Sequence, residues 1–219
     1  MAGGVLSSGA FERAVARAAA RRADAVERCG ICSAPVPPDH RHLLDERDGG
    51  LACACRPCAL LFDRTVSSGP GGTSQGHHRL VPTGRLQLAG LDAEALNVPV
   101  GLAFFVEQDD GRVLAHYPSP LGTTESEIDP GAWAAVRRQS EDLVRMRPRV
   151  EALLVRTNAR PERNEHWVVP IDECYRLVAL IRQSWSGMSG GGVVWRTIAA
   201  FFDDLGRRPG HHPVGIAAT

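Results

Sequence analysis

The chain has 219 residues, with 25 basic and 25 acidic side chains and a sequence pI near 7.1. All 25 basic residues are arginine, and the absence of lysine excludes a Walker-A phosphate loop, Schiff-base chemistry, a kinase strand lysine and a Ser-Lys dyad. Balanced charge argues against a nucleic-acid partner held through phosphate neutralisation, and no apolar run approaches the roughly 20 residues of a membrane helix.

Residues 1–8 carry neither the charged nor the hydrophobic region of a secretory leader. Five of the six cysteines fall within 30 residues, at Cys29, Cys32, Cys53, Cys55 and Cys58. Such clustering points to metal in a reducing compartment rather than to disulfides, so the expected location is the cytoplasm. The predicted organisation is an N-terminal helical segment (1–28), a four-cysteine ribbon (29–62), a Gly/Ser-rich linker (63–78), an α+β domain (79–208) and a C-terminal tail (209–219).

The N-terminal helix is predicted over 9–27, capped by Ser7 or Ser8, with Phe11, Val15, Ala18 and Val26 at helical spacing. Beyond the linker, short strands are expected at 80–81 and 85–88. The apolar run 100–107 then reads as a strand buried on both faces. Asp110-Gly111 turns it into a second strand over 112–117. A helix capped by Asp129, with Pro130 at its first position, is predicted to run to about residue 146. Strands at 151–156 and 166–169 follow. After Pro170 comes a helix with Cys174, Leu177, Val178, Ile181 and Trp185 on one face, and then a helix with the stripe Val194, Ile198, Phe201 and Leu205. This order predicts an α+β layer, with about three helices on a mixed or antiparallel sheet.

Cys29-Gly-Ile-Cys32 and Cys55-Arg-Pro-Cys58 are two Cys-x2-Cys knuckles separated by 22 residues. One tight turn presents two thiolates to an ion, and two such turns complete a tetrahedron. Cys29, Cys32, Cys55 and Cys58 are therefore the candidate metal ligands. The same set suits zinc, a single iron as in a rubredoxin, or an iron–sulfur cluster. A structural zinc would supply the folding energy that a module with few large apolar side chains lacks. Spacing leaves the role of Cys53 open between a ligand in place of Cys55, a spare thiol and a residue turned away. His40 and His42 alternate around Arg41. On a strand they would share a face and enter the metal's first or second shell; in a loop they would be exposed. Asp39, Asp45, Glu46 and Asp48 make the module acidic, which favours a protein-facing or structural role over nucleic-acid reading.

Two other motifs invite weighing. Gly187-Met-Ser189-Gly-Gly191 matches a nucleophile elbow, followed by Asp203, Asp204, His211 and His212 in hydrolase order. An elbow needs a buried strand before it, whereas the preceding residues have helical periodicity. A helix–helix turn capped by Ser189 is the simpler reading, and no catalytic residue is assigned. The histidine pairs His77-His78 and His211-His212 lie in Gly/Pro-rich stretches and read as exposed.

Several stretches together carry a resemblance: the first knuckle, His40-Arg-His-Leu-Leu-Asp45, and Cys53-Ala-Cys-Arg-Pro-Cys-Ala-Leu-Leu-Phe62. Further on come Pro99-Val-Gly-Leu-Ala-Phe-Phe105, Tyr117-Pro-Ser-Pro120, His166-Trp-Val-Val-Pro-Ile-Asp172, and Trp185-Ser-Gly-Met-Ser-Gly-Gly191 with Trp195. Over about residues 29–206 the chain resembles an uncharacterised bacterial family, common in actinobacteria, whose genes often lie beside those of uptake nickel–iron hydrogenases. The resemblance implies an accessory role with a hydrogenase subunit or maturation factor as partner, or an electron-transfer role. It transfers no catalytic residue.

Overall fold

A turn with its own polar scaffolding begins the hairpin of the first unit. β1 (Arg41–Asp45) pairs antiparallel with β2 (Leu51–Ala54), placing His42 opposite Cys53 and Leu43 opposite Ala52. Between the strands, the Asp45 amide donates to Gly50 O at 2.9 Å and the Gly50 amide donates to Asp48 Oδ1 at 2.8 Å. Gly49 takes φ +74°, a left-handed conformation that glycine adopts without a Cβ clash. The Arg47 guanidinium beside Asp45 holds that carboxyl well below the usual carboxylate range. A six-residue helix, α1 (Arg56–Leu61), follows directly, with a proline in its first turn, where the missing N–H has no helical partner to lose. The short strand β3 (His78–Leu80) completes the order β2-β1-β3.

This computed structural model describes residues 26–62, 77–98, 101–157, 164–185 and 191–208, and the backbone of 211–215. The chain divides into two compact units between His78 and Arg79. Of the helix expected over 9–27, residues 9–25 lie outside the described residues, as do residues 63–76 of the linker and Ser189. At 26–27, where the expected helix reaches the described residues, the backbone is not helical, and Arg28 forms a bridge with Pro35.

The second unit is the expected α+β layer. Its strands are β4 (Arg85–Ala89), β5 (Leu102–Glu107), β6 (Val113–Ser119), β7 (Gly122–Glu127), β8 (Glu151–Arg156), β9 (Glu165–Pro170) and β10 (His211–Gly215). They form one mixed sheet in the order β10-β4-β9-β8-β5-β6-β7, antiparallel except for the parallel edge pair β10–β4. Helices cover both faces. Trp133 and Val136 of α2 (Pro130–Arg137) and Leu143 of α3 (Glu141–Val144) share a core with Ala103, Phe105, Leu153 and Val155. On the other face α4 (Ile171–Ser184) packs along β6 to β9, and α5 (Gly191–Arg207) packs against α4. Every residue of β5 is buried, which is why its sequence is a continuous apolar run and not an alternation.

Four expectations give way. The helix expected from 130 to about 146 is two helices, because Ser140 accepts from the Asp142 amide at 3.2 Å and starts a new one. Gln139 is held outside both by paired hydrogen bonds of 2.9 Å to the backbone of Asp92. Trp185 follows the last residue of α4 with extended dihedrals, so it is not on the helix face. The stretch expected to be a tail contains β10. Strand β7 was not expected: its sequence, Gly-Thr-Thr-Glu-Ser-Glu, has no apolar alternation, as suits an exposed edge that must not recruit another strand.

One buried carboxylate ties the helices to the sheet. Glu173, on α4, accepts from Arg85 of β4 at 2.9 Å, from Arg176 at 2.9 Å and from Arg208, just beyond α5, at 2.8 Å. Asp204 joins the network through Arg176 and Arg208. Removing the central anion takes a shared carboxylate from three guanidinium groups at once. Glu173→Ala should destabilise the chain by about 3 kcal/mol, read as a lowered urea midpoint; an unchanged midpoint would show that the network is not load-carrying.

Candidate metal centre

Each knuckle is a turn fixed by its own amides. In the first, the Cys29 amide donates to Ala34 O and the Ser33 amide to Cys29 O, both at 2.8 Å. Ser33 takes φ +61° to close the turn. The Gly30 amide donates to Cys53 O at 2.8 Å, which ties the knuckle to the open edge of β2. A Cβ on Gly30 would lie 3.0 Å from the Ala52 Cβ, so the approach is one that glycine permits. In the second knuckle, Cys55 is the N-cap residue of α1, and its carbonyl accepts from the Ala59 amide at 2.9 Å. Cys58 then projects from the helix's first turn.

These two turns bring Cys29, Cys32, Cys55 and Cys58 together, with all four sulfur atoms within 4.8 Å of one another. Cys32 Sγ and Cys55 Sγ are 3.6 Å apart. A tetrahedral ion with metal–sulfur bonds near 2.3 Å requires sulfur–sulfur edges of about 3.8 Å, so the donor set and its spacing fit a single four-coordinate ion. Cys29 and Cys58 are buried, Cys55 is half-buried and Cys32 is exposed. Val36 packs against the buried pair.

The thiols perturb one another. Burial opposes ionisation of Cys29, yet hydrogen bonding from the backbone at Cys55, Cys32 and Ile31 and from the Cys32 thiol outweighs it, and the pKa falls from 9.0 to about 6. Hydrogen bonding with Cys55, together with desolvation, pushes Cys58 up to about 12. Opposite shifts on neighbouring thiols are the behaviour of groups crowded around a shared point, which titrate as a set. A dication at that point favours the thiolate form of all of them.

Cys53 falls outside this group. Its donor atom instead lies within 4.8 Å of those of His40 and His42, and burial raises its pKa, assisted by the charge of Glu27. His42 is on β1, as the strand alternative required, and His40 immediately precedes that strand. Among the described residues, these are the two groups of three or more His, Cys, Asp or Glu able to share one ion. His78 is not exposed in the manner expected of a linker: its ring lies 5.4 Å from that of Phe62, and its Nε2 is 3.9 Å from Asp45 Oδ2. Cys174 is fully buried on the apolar face of α4, where burial raises its pKa well above 9.0.

Sequence reasoning gave no sign of a cleft of about 450 Å³ in the second unit, bordered by Asp92, Glu94, Asn97, Thr157, Asn164 and His166. His166 is one of the histidines in the stretches that carry the family resemblance, and its place as a polar residue on a strand buried from residue 166 to 170 is the signal available for it. Of the two acidic residues that follow the elbow motif, Asp204 is paired with Arg176 and Arg208.

An α+β sheet domain joined to a two-knuckle, four-cysteine module defines the class. The chain belongs to the family described as a family of unknown function (DUF5947), whose model matches residues 28–209. No curated protein and no solved structure matches it. Among the described residues, no helix is long and apolar enough to cross a membrane.

Two buried histidines give the second unit a pH dependence. Burial lowers the pKa of His116, which stacks on Phe104 at 4.7 Å, and that of His166, against the opposing charges of Glu125 and Asp92 respectively. Below the unfolded value of 6.5 the unfolded chain therefore binds more protons than the folded one, and stability falls as pH drops. Urea midpoints measured across this range should decline with acidification. His116→Phe should flatten the decline, and a variant with the wild-type slope would remove His116 as its source.

Proposed function

We propose that this protein is a cytoplasmic zinc-binding accessory factor that acts through protein–protein contacts in the assembly or maturation of a nickel–iron hydrogenase. The four-thiol cluster carries the reading. Four cysteine donors fill every position of a tetrahedral ion and leave none for a substrate, which is the arrangement of a structural site. The module around it has the small core that such an ion compensates: Val36, Leu43, Leu44, Ala54 and Ala59 are its buried apolar residues besides cysteine. Ile31, inside the first knuckle, and Leu60 and Leu61, at the end of α1, are 41%, 52% and 57% exposed, an apolar set suited to a protein partner. The hydrogenase as the system served rests on the family resemblance.

Metal analysis and visible spectroscopy of the full chain, purified without oxygen, test the metal. The expected result is a colourless protein with tightly held zinc, and a four-cysteine site lost in Cys58→Ser with exposure of the module to protease. A red iron form that cycles between oxidation states would overturn the structural reading in favour of an electron carrier. Deleting the gene should lower nickel–iron hydrogenase activity without lowering the enzyme's transcript; unchanged activity would end the hydrogenase assignment.

A further inference from the structure

The hairpin holds a second constellation that the four-thiol cluster does not use. Antiparallel register sets His42 directly across from Cys53, and cross-strand neighbours project to the same face. His40 lies two residues before His42, and their ring centroids are 4.7 Å apart. The donor atoms of all three residues fall within 4.8 Å of one another.

His40 is prepared for ligation in a specific way. Its Nδ1 lies 2.7 Å from the Pro37 carbonyl oxygen. A carbonyl can only accept, so Nδ1 carries the proton and Nε2 presents its lone pair. That side chain is 4% exposed, and Nε2 is buried with no hydrogen-bond partner. A buried lone pair held in one tautomer by a backbone carbonyl is the second-shell arrangement found behind metal-bound imidazoles.

We propose that His40, His42 and Cys53 form a second metal site beside the four-thiol cluster, taking a late first-row transition-metal ion through two neutral imidazoles and one thiolate. Nitrogen and sulfur donors select Zn²⁺, Co²⁺ or copper over Mg²⁺ and Ca²⁺, which require oxygen ligands. Three protein ligands leave one position of a tetrahedron for water or an exchanging ligand, so this site differs in kind from the closed one. Binding transfers the Cys53 thiol proton to solvent and changes no oxidation state. The site needs the hairpin alone and is independent of the accessory role.

Cobalt titration of the full, metal-depleted chain under anaerobic conditions decides the matter, with bound metal counted after dialysis against metal-free buffer. The wild type should retain two equivalents, one with the intense charge-transfer spectrum of four thiolates and one adding the d–d bands of a mixed nitrogen–sulfur site. His42→Ala and Cys53→Ser should each retain one, with the four-thiolate spectrum intact. A wild type that retains one equivalent with the four-thiolate spectrum alone, or variants that still hold two, would overturn the second site. The wild-type count stands whether or not either variant folds. A wild type showing the mixed spectrum without the four-thiolate one would instead overturn the structural-zinc reading and leave this site in place.

Discussion

The cysteine module depends on convergence. Two turns far apart in the chain must deliver four sulfur atoms to one point, and everything local to them serves that placement. The Gly30 amide borrows the free edge of β2, Gly30 itself admits the close approach of Ala52, and α1 begins at Cys55 so that Cys58 returns one turn later. A hairpin this short buries too little apolar surface to fix such an arrangement by itself. Crowded thiols without a shared cation would also repel as they ionise. Hydrogen bonding lowers the Cys29 thiol and, with desolvation, raises that of Cys58, as crowding around one point produces.

The second unit solves its problem differently. The centre of its sheet is buried on both faces, and its polar order comes from arginine. Glu173 is shared by Arg85, Arg176 and Arg208, and the guanidinium planes of Arg156 and Arg176 lie 4.5 Å from the Phe202 and Phe201 rings. Planar, fork-shaped donors can bond a carboxylate and cover an aromatic face at the same time, which an ammonium group does poorly. The all-arginine composition therefore shows in the packing and not only in the charge count.

Much of this was legible in the sequence because the signals were periodic or punctuated. The run 151–156, the turn at Asp110-Gly111 and the stripes of α4 and α5 each carry their own physical pattern, and each element appears. The knuckles were legible because ligand spacing is itself a geometric statement. What escaped depended on tertiary context. β7 is a strand only because β6 is beside it, and the break at Ser140 is helped by Gln139 reaching the backbone of Asp92, 47 residues away. The grouping of Cys53 with His40 and His42 required the register of β1 on β2, which spacing along the chain does not encode.

Burial is uneven around the four thiols: Cys29 and Cys58 face the interior, and Cys32 faces water. The cluster therefore has an inside and an outside. An electrophile, an oxidant or a competing thiol arriving from solvent meets Cys32 first, in the knuckle that Ser33 closes with a positive φ. Its vulnerability is directional, set by which sulfur the fold leaves uncovered.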